Sequence, residues 1–340
     1  MLRLSVLDQS PIREGGTAAD AVGETLRLAQ LCDGLGYHRY WLAEHHNAVG
    51  LAGSAPEILI GRVAQLTRHL RVGSGGVMLN HYSALKVAES FRMLETLYPG
   101  RIDLGIGRAP GSDQRTAQAL AHGPGALDIR YFPNQIDDLK NFLQDTVDPS
   151  HPFHGIHAEP RGAGVPELWL LGSSEQSAAY AAHFGLPFSF AHFITDEGGA
   201  AILRAYKRQY RPSPAFPRPL GSAGVFVVCA ESNAEAERLA ASRDLWLLRL
   251  RLGRPGPVPT PEAALAYAYT PQERMIVDYN RRRTIAGDPE RVRAVLLGLA
   301  EAYDVNELVV VTITYDFAAR CRSYELLAEA FGLTAPEAEL

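Results

Sequence analysis

Cysteine is scarce in this 340-residue sequence. The three cysteines, Cys32, Cys229 and Cys321, are odd in number, far apart and set among apolar residues. Such a set argues against a disulfide framework or a cysteine metal cluster, and it fits a reducing compartment. The sequence also lacks an apolar run of about 18 residues, the length of a membrane span, and it lacks a charged N-terminal region followed by an apolar stretch and a small-residue cleavage site. We therefore expect a soluble, cytoplasmic protein.

A strong excess of charge of one sign is also absent. The chain has 33 Lys and Arg against 38 Asp and Glu, a formal net charge of −5, and no long basic run. Nucleic acid and anionic membrane are therefore not expected as partners. The one basic cluster, Arg281 to Arg283, is interpreted as a solvated loop in preference to a contact with an anion.

The sequence is rich in short, strand-like runs of aliphatic residues. Several of them are continuous and do not alternate, which is typical of strands buried on both faces. Segments of helical period lie between them, so we predict parallel βαβ units with right-handed crossovers. The eight runs are RLSVLD, RYWLAE, LRVGSG, RIDLGIG, ELWLLGS, PFSFAHF, GVFVVCA and ELVVVTIT.

Eight strands are the number that closes a (β/α)8 barrel, and the length of the chain suits one barrel domain over residues 1–340. The alternative is an open, doubly wound sheet. Its first strand-to-helix turn would carry the glycine fingerprint G-x-G-x-x-G of a dinucleotide site, which the segment DQSPIREGGTAAD lacks. We therefore predict an α/β protein with a TIM barrel.

Local signals place helices and insertions. Thr17 and Asp20 have the spacing of a capping box, so a helix is predicted from Ala18 to a stop near Gly36. Pro56 is placed to open the second helix. Long insertions are predicted after strands 4 and 7, the second running from about residue 252 to 288, and connections of this length are usually lids or mobile segments.

Polar residues are concentrated where the predicted strands end, which is where catalytic groups lie in a (β/α)8 barrel. The second strand ends in Glu44, His45 and His46. A metal site is the less favoured interpretation, because adjacent histidines on a strand point to opposite sides. The spacing of the other candidate ligands, His81, His192 and Asp316, is not diagnostic of a metal site.

A second group of strand-end residues suits an anion. The segment GSSEQSA begins at Gly172 and presents the hydroxyls of Ser173, Ser174 and Ser177, with free backbone N–H groups, where a helix starts. Arg108, at the end of the fourth strand, would be the neighbouring cation and can bind phosphate bidentately. The alternative is that the serines only cap a helix and the arginine only braces a turn.

Four stretches resemble the bacterial-luciferase-like flavin-dependent monooxygenases. The resemblance is densest over residues 1–115 and 165–195 and returns over 287–333. It implies a (β/α)8 barrel that binds FMN, usually as reduced flavin delivered by a separate NAD(P)H-dependent flavin reductase. It also implies that Arg108 and the turn from Gly172 to Ser177 hold the phosphate. The stretches are YWLAEHHN, VGSGGVMLNHYSALKVAESFRMLETLYPGRIDLGIGRAPGSD, LWLLGSS and TYDFAARCRSYELLAEAF.

The third predicted strand ends in SGG, where related proteins carry a non-prolyl cis peptide beneath the isoalloxazine ring. The resemblance therefore implies a cis bond between Ser74 and Gly75 and places both residues against the cofactor. From the residues alone, a trans glycine-rich strand end is the simpler interpretation.

In the resembling enzymes the Glu-His-His triplet lies beside the flavin. His45 is accordingly the candidate acid/base, with Glu44 as its neighbour in the cavity, whereas His46 is expected to pack outward. A neutral imidazole can exchange a proton as a flavin C4a-peroxide forms or collapses, and such help is typically worth about 10² to 10⁴ in rate. The alternative is that His45 only hydrogen-bonds the flavin or a core carbonyl.

The resulting hypothesis is an FMN-dependent monooxygenase that uses reduced FMN and O₂ to oxidise a small organic substrate. The alternatives are a deazaflavin-dependent hydride-transfer enzyme of the same fold and a non-catalytic flavin-binding protein. A homodimer through the second and third helices is expected from the resemblance. The residues expected on the substrate side, unless they belong to the core, are Leu7, Trp41, Met78, Phe190, His192 and Tyr315.

Overall fold

The computed structural model describes residues 2–108, 113–121, 128–162 and 164–335. The β-strands in these ranges are β1 (Arg3–Asp8), β2 (Arg39–Leu42), β3 (Arg71–Met78), β4 (Ile102–Gly107), β5 (Glu167–Gly172), β6 (Phe188–Ala191), β7 (Gly221–Cys229), β8 (Thr284–Gly287) and β9 (Glu307–Val311). The α-helices are α1 (Ala18–Leu35), α2 (Pro56–Leu66), α3 (Ala84–Leu97), α4 (Gln114–Leu120), α5 (Phe132–Gln144), α6 (Glu175–Phe184), α7 (Gly199–Gln209), α8 (Asn233–Arg251), α9 (Pro261–Ala266), α10 (Pro271–Arg281), α11 (Pro289–Tyr303) and α12 (Phe317–Phe331). Short 3₁₀ helices cover Leu79–His81 and Ile129–Tyr131.

The strands close into a ring. Parallel pairing runs from β1 through β2, β3, β4, β5 and β6 to β7, then from β7 to β9 and from β9 back to β1. Among the described residues, β8 is the one strand outside this ring, and it pairs with the last residues of β7. The predicted (β/α)8 barrel is confirmed.

Apolar residues pack on both faces of the barrel wall. Val6 belongs to the large cluster between strands and helices, whereas Leu7 belongs to a smaller cluster inside the barrel with Trp41 and Trp169. Successive residues of a strand point to opposite faces, so neighbours in β1 enter different clusters. This two-sided burial explains the continuous hydrophobic runs in the sequence.

A charged layer fills the N-terminal end of the barrel. The buried guanidinium of Arg39 donates to Asp103 at 2.7 Å and to Glu167 and Glu307 at 3.0 Å each. Burial alone would lower the pKa of Arg39, but the three carboxylates together raise it above its usual range. These ion pairs join β2, β4, β5 and β9 at this end, so the opposite, C-terminal rim is the end that remains for a ligand.

The predicted helix signals are confirmed. Thr17 caps α1 and forms a capping box with Asp20, and Gly36 follows the helix with φ of 86°. Pro56 opens α2. Of the described helices, none is long and apolar enough to span a membrane.

Both predicted insertions are present, and the second is larger than expected. The first, after β4, contains α4 and α5. The second begins with α8 and not near residue 252, because α11 is the helix that packs against both α7 and α12 around the barrel. It also contains β8. This strand was not predicted, because its four residues, TIAG, are too few to form a long apolar run and they follow a charged stretch.

The interpretation of Arg281 to Arg283 as a solvated loop is wrong. Arg281 ends α10 and pairs with Asp244 at 2.9 Å, and Arg282 pairs with Asp196 at 2.8 Å. Arg283 is buried, with only 5% of its surface exposed. The cluster is therefore built into the second insertion through specific contacts.

Candidate active site

Glu44 is held in a fixed position at the end of β2. Its buried carboxylate accepts hydrogen bonds from the Tyr82 hydroxyl at 2.8 Å and from the backbone N–H of Met78 at 3.2 Å. His46 Nε2 lies 2.7 Å from the same carboxylate. His46 was expected to pack outward, but it contacts Glu44, and the two together join β2 to the segment after β3.

His45 has a different environment. Its backbone N–H donates to the Gly53 carbonyl at 2.8 Å, whereas its ring Nδ1 is buried and has no partner among the described residues. Burial and, to a lesser degree, the nearby His46 lower the pKa of His45 to about 4. The imidazole is therefore neutral at pH 7, with one ring nitrogen a donor and the other an acceptor. Such a side chain is suited to contact a polar ligand at the rim.

The end of β3 contains a cis peptide, one residue later than predicted. It lies between Gly75 and Gly76 and not between Ser74 and Gly75. The pairing of β3 with β4 is regular through Gly75 and shifts between Gly75 and Val77, so the cis bond coincides with the irregular part of the strand. The hydroxyl of Ser74 is buried and donates to the Gly105 carbonyl at 2.8 Å. The Ser74 hydroxyl is thus engaged in a hydrogen bond between β3 and β4.

Bare backbone forms the surface next to this bond. A Cβ on Gly75 would lie 2.4 Å from Leu7 Cδ1, and one on Gly76 would lie 2.6 Å from the Gly105 carbonyl oxygen. Neither position can therefore carry a side chain without displacing its neighbour. A Cβ on Gly107, at the end of β4, would meet no atom within 4 Å. Gly75 and Gly76 are nonetheless partly exposed, so their backbone forms part of the surface that a ligand can approach.

Arg108 reaches from the end of β4 to the first turn of α6. A terminal N–H of its guanidinium donates to the side-chain oxygen of Gln176. Its carbonyl accepts a hydrogen bond from Asn80 Nδ2 at 3.0 Å, and Asn80 Oδ1 is buried without a partner among the described residues. The structure thus brings Arg108 to the serine-containing turn after β5.

That turn is closely packed. Ser174 is the N-cap of α6, and its hydroxyl accepts from the backbone N–H of Ser177 at 3.2 Å and lies 3.1 Å from the Ser177 hydroxyl. A Cβ on Gly172 would lie 2.5 Å from Ser177 Oγ, so the position of Ser177 depends on glycine at 172. Ser173 is half-buried between them. Hydroxyls and a helix N-terminus beside a guanidinium favour an anion.

Comparison with known proteins decides the family. The family model for luciferase-like monooxygenases matches residues 2–305. The chain belongs to this family. A luciferase-like monooxygenase of Escherichia coli (strain K12) is 42% identical over 326 residues, 96% of this chain and 96% of that protein. The N-acetyl-S-alkylcysteine monooxygenase of Bacillus subtilis (strain 168) is 39% identical over 335 residues, 97% of this chain and 98% of that protein.

Solved structures agree with the luciferase-like assignment. The structure of apo-MsnO8 has a TM-score of 0.89 at 41% identity and covers 98% of both chains. Two more distant structures share the fold alone. They are the oxygenating constituent of 3,6-diketocamphane monooxygenase from Pseudomonas putida in complex with FMN (TM-score 0.70, 17% identity, 99% of this chain and 98% of that chain) and an F420-dependent secondary alcohol dehydrogenase in complex with an F420-acetone adduct (TM-score 0.68, 12% identity, 97% and 98%).

The rim of this luciferase-like monooxygenase fits the chemistry of FMN. Arg108 and the serine turn suit the phosphate, and the bare backbone at Gly75 and Gly76 suits a flat ring. The unpartnered His45 Nδ1 and Asn80 Oδ1 are buried polar atoms that a polar ligand would satisfy. Among the described residues, no three His, Cys, Asp or Glu side chains are grouped to hold a metal ion.

Several contact residues were missed from the sequence. Tyr82 and Asn80 lie in the segment LNHYS directly after the third strand, so the strand-end rule that selected the other candidates would have found them. Gln176 lies inside the serine segment itself. Its contact with Arg108 depends on how the end of β4 meets the first turn of α6, for which no sequence signal exists.

Two residues expected on the substrate side belong to the wall outside the barrel. The Phe190 ring lies 5.7 Å from the ring of Tyr303 in α11, and His192 Nδ1 lies 2.8 Å from the Tyr303 hydroxyl. Phe190 is therefore a core residue and does not lie on the substrate side. Leu7 and Trp41 lie inside the barrel but are buried in its core cluster, so they are core residues as well.

Proposed function

We propose that this protein is an FMN-dependent monooxygenase that uses reduced FMN and O₂ to oxidise a small organic substrate. The observation that carries the proposal is the contact of Arg108 with Gln176 in the first turn of α6, next to Ser174 and Ser177. A guanidinium, serine hydroxyls and a helix N-terminus share phosphate as a preferred ligand. The flavin would arrive reduced from a separate NAD(P)H-dependent flavin reductase, as the resemblance to flavin-dependent monooxygenases implies.

Each group at the rim has a separate task in this proposal. Arg108, Ser174 and Ser177 hold the phosphate, and the backbone at Gly75 and Gly76 supports the ring. Bound reduced flavin supplies the electrons that activate O₂, while the protein supplies orientation and a protected cavity.

His45 holds or exchanges a proton at the rim. Its imidazole is neutral at pH 7 because burial lowers its pKa to about 4. A neutral imidazole donates from one nitrogen and accepts at the other, so His45 can stabilise a reacting oxygen or remove a proton from it. Glu44 does not perform this task, because its carboxylate is held by Tyr82, Met78 and His46.

The cofactor is tested by equilibrium binding of FMN and of a deazaflavin, each oxidised and reduced, to the protein and to Arg108→Ala. We expect FMN to bind and the variant to bind it about tenfold to a hundredfold more weakly, because a charge-assisted pair is lost. Arg161→Ala is the matched control, since this exposed arginine pairs with nearby Glu159. Unchanged FMN affinity in Arg108→Ala would contradict the phosphate site. Binding of reduced deazaflavin without affinity for FMN would favour the hydride-transfer alternative.

Turnover is tested by oxygen uptake with NADH, a flavin reductase and a panel of small substrates. N-acetyl-S-alkylcysteines belong in the panel, because a relative 39% identical is named for them. We expect uptake that depends on the substrate, together with an oxygenated product detected by mass spectrometry. Flavin binding without any substrate-dependent uptake across the panel would favour the non-catalytic flavin-binding protein.

A further inference from the structure

Helix α8 crosses the mouth of the barrel. Phe226 of β7 belongs to the interior cluster, and Val228, on the same face of the strand, packs against Ala236 and Leu239 of α8. Further along the helix, Trp246 joins the interior cluster as well. The face of α8 between these contacts therefore looks into the barrel.

Arg243 extends from this face toward the interior. The residue is 2% exposed, and its guanidinium carbon lies 3.3 Å from the centre of the Phe226 ring. One terminal N–H donates to the Thr284 hydroxyl, whereas Nε has no partner among the described residues. Burial lowers the pKa of Arg243 to about 9, which reflects the cost of a buried charge that lacks a counter-ion.

A second buried guanidinium lies near it. The side chain of Arg283 donates to the Ile194 carbonyl and, at 2.5 Å, to Asn280 Oδ1. Arg283 Nε and Asn280 Nδ2 are buried donors without a partner among the described residues. The charge of Arg283 contributes to the lowered pKa of Arg243, so the two like charges act on each other.

The carboxylates around these two arginines are already paired with other arginines. Asp244 attracts Arg243 but makes no direct ion pair with it, and in the described part of the chain neither Arg243 nor Arg283 forms one. Asp244 Oδ1 and Asp196 Oδ1 are also buried without a hydrogen-bond partner in the described part of the chain, but neither carboxylate forms an ion pair with Arg243 or Arg283. The unpartnered donors on the two arginines and on Asn280 therefore still lack an anionic acceptor. The pairs nearby are Arg281–Asp244, Arg281–Glu237 and Arg282–Asp196.

We propose that Arg243 and Arg283 bind a carboxylate of the substrate, so that the enzyme acts on small organic acids. This inference rests on the proposed function, because it names the substrate class for the same barrel mouth. A carboxylate offers two acceptor oxygens to guanidinium donors, and the remainder of the substrate would lie against Phe226 and the interior cluster. The pair is distinct from the phosphate site, which lies at the ends of β4 and β5.

The test compares hexanoate with hexanamide, which differ in charge and scarcely in shape. Binding to the flavin-free, full-length protein is measured by calorimetry for the wild type and for Arg243→Gln, Arg283→Gln and Arg282→Gln. The last variant is the control, because it removes the same charge from the exposed neighbour. We expect the wild type and the control to bind hexanoate at least about tenfold more tightly than hexanamide, and both other variants to lose that preference.

Thermal melts of the wild type with either compound provide a second measurement that does not depend on folding of the variants. Hexanoate should raise the melting temperature and hexanamide should not. Equal effects of the two compounds on the wild type, or a preference that survives in both Arg243→Gln and Arg283→Gln, would overturn the inference. FMN affinity, measured separately, should be unchanged in these two variants. A wild type that binds hexanoate but not FMN would refute the proposed function and leave the carboxylate site standing.

Discussion

His45 and His46 are neighbours in the chain, but their imidazoles have different surroundings. His46 lies 2.7 Å from the Glu44 carboxylate, whereas His45 Nδ1 has no partner among the described residues. Glu44 and His46, two residues apart, contact each other, whereas the His45 ring between them does not join this contact. Of the pair, His45 is therefore the one that retains a ring nitrogen for a ligand.

We predict that His45→Gln lowers substrate-dependent oxygen uptake at saturating FMN by about 10² to 10⁴, a loss much larger than any change in FMN affinity. Because the pKa of His45 is lowered to about 4, its titration should not appear in the pH profile of kcat between pH 6 and 8. Steady-state rates over that range, with His46→Gln as the matched variant, check both points. A variant that turns over like the wild type would make His45 a structural residue.

The strand-end rule selected the Glu-His-His triplet, Arg108 and the serine turn as candidates from the sequence, because a barrel brings its strand ends to one rim. It could not assign partners within the rim. Glu44 pairs with His46 because Tyr82 and Met78 of another segment fix the carboxylate. The buried Arg283 was misread because a run of three arginines is usually solvated, whereas burial is decided by packing against distant residues.

Between elements, a buried ion pair joins the first strand to the last helix. Arg320 of α12 donates to the Asp8 carboxylate at 2.7 Å, and the Tyr40 hydroxyl and the backbone N–H of Ser10 donate to it at 2.5 and 2.8 Å. Burial would raise the pKa of Asp8, but the Arg320 charge and these hydrogen bonds outweigh it, so the pKa lies below its usual value. The contacts link β1, β2 and α12 at the C-terminal end of β1.

We predict that Asp8→Asn lowers the free energy of unfolding at pH 7 by about 3 to 5 kcal/mol, because it leaves the Arg320 charge buried and unpaired. The pKa of Asp8 in the folded protein lies below its unfolded value of about 3.9, so the ionised carboxylate contributes its full stabilisation above that pH. This stabilisation is lost as pH falls through the folded pKa. In urea unfolding, the wild type and Asp8→Asn should therefore differ less in their free energy of unfolding at acid pH than at pH 7. The surface variant Asp278→Asn should differ from the wild type by no more than about 0.5 kcal/mol. A similarly small effect of Asp8→Asn would contradict this account.

Helices with local signals were predictable, whereas elements defined by distant packing were not. The capping box of α1 and Pro56 of α2 act within one turn of helix. Helix α8 gives no local sign that it leaves the ring of barrel helices to cross the mouth. That placement depends on the contact of Trp246 with an interior cluster whose other members, such as Leu7 and Trp41, are far away in the sequence.

At the scale of the whole molecule, helices α2 and α3 carry large apolar side chains that are exposed to solvent. Ile58, Met93 and Leu97 are 71%, 50% and 60% exposed, and the two helices that carry them pack against each other. Exposed apolar side chains gathered on adjacent helices are typical of a protein–protein contact. A second copy of the chain is the partner that would present the same two helices in return.

We predict that the protein is a homodimer in which α2 and α3 of each copy pack together, and that Ile58→Glu with Leu97→Glu produces a monomer. Two carboxylates per copy would have to be buried without partners in such an interface, which costs far more than the apolar contact contributes. Sedimentation velocity at micromolar concentration measures the outcome. Leu265→Glu is the control, because that leucine on α9 is 61% exposed and lies outside the proposed contact. A monomeric wild type would show that no such interface forms. A double variant that folds and remains dimeric would show that the interface lies elsewhere. If the wild type is a monomer, the barrel mouth must be complete within one chain.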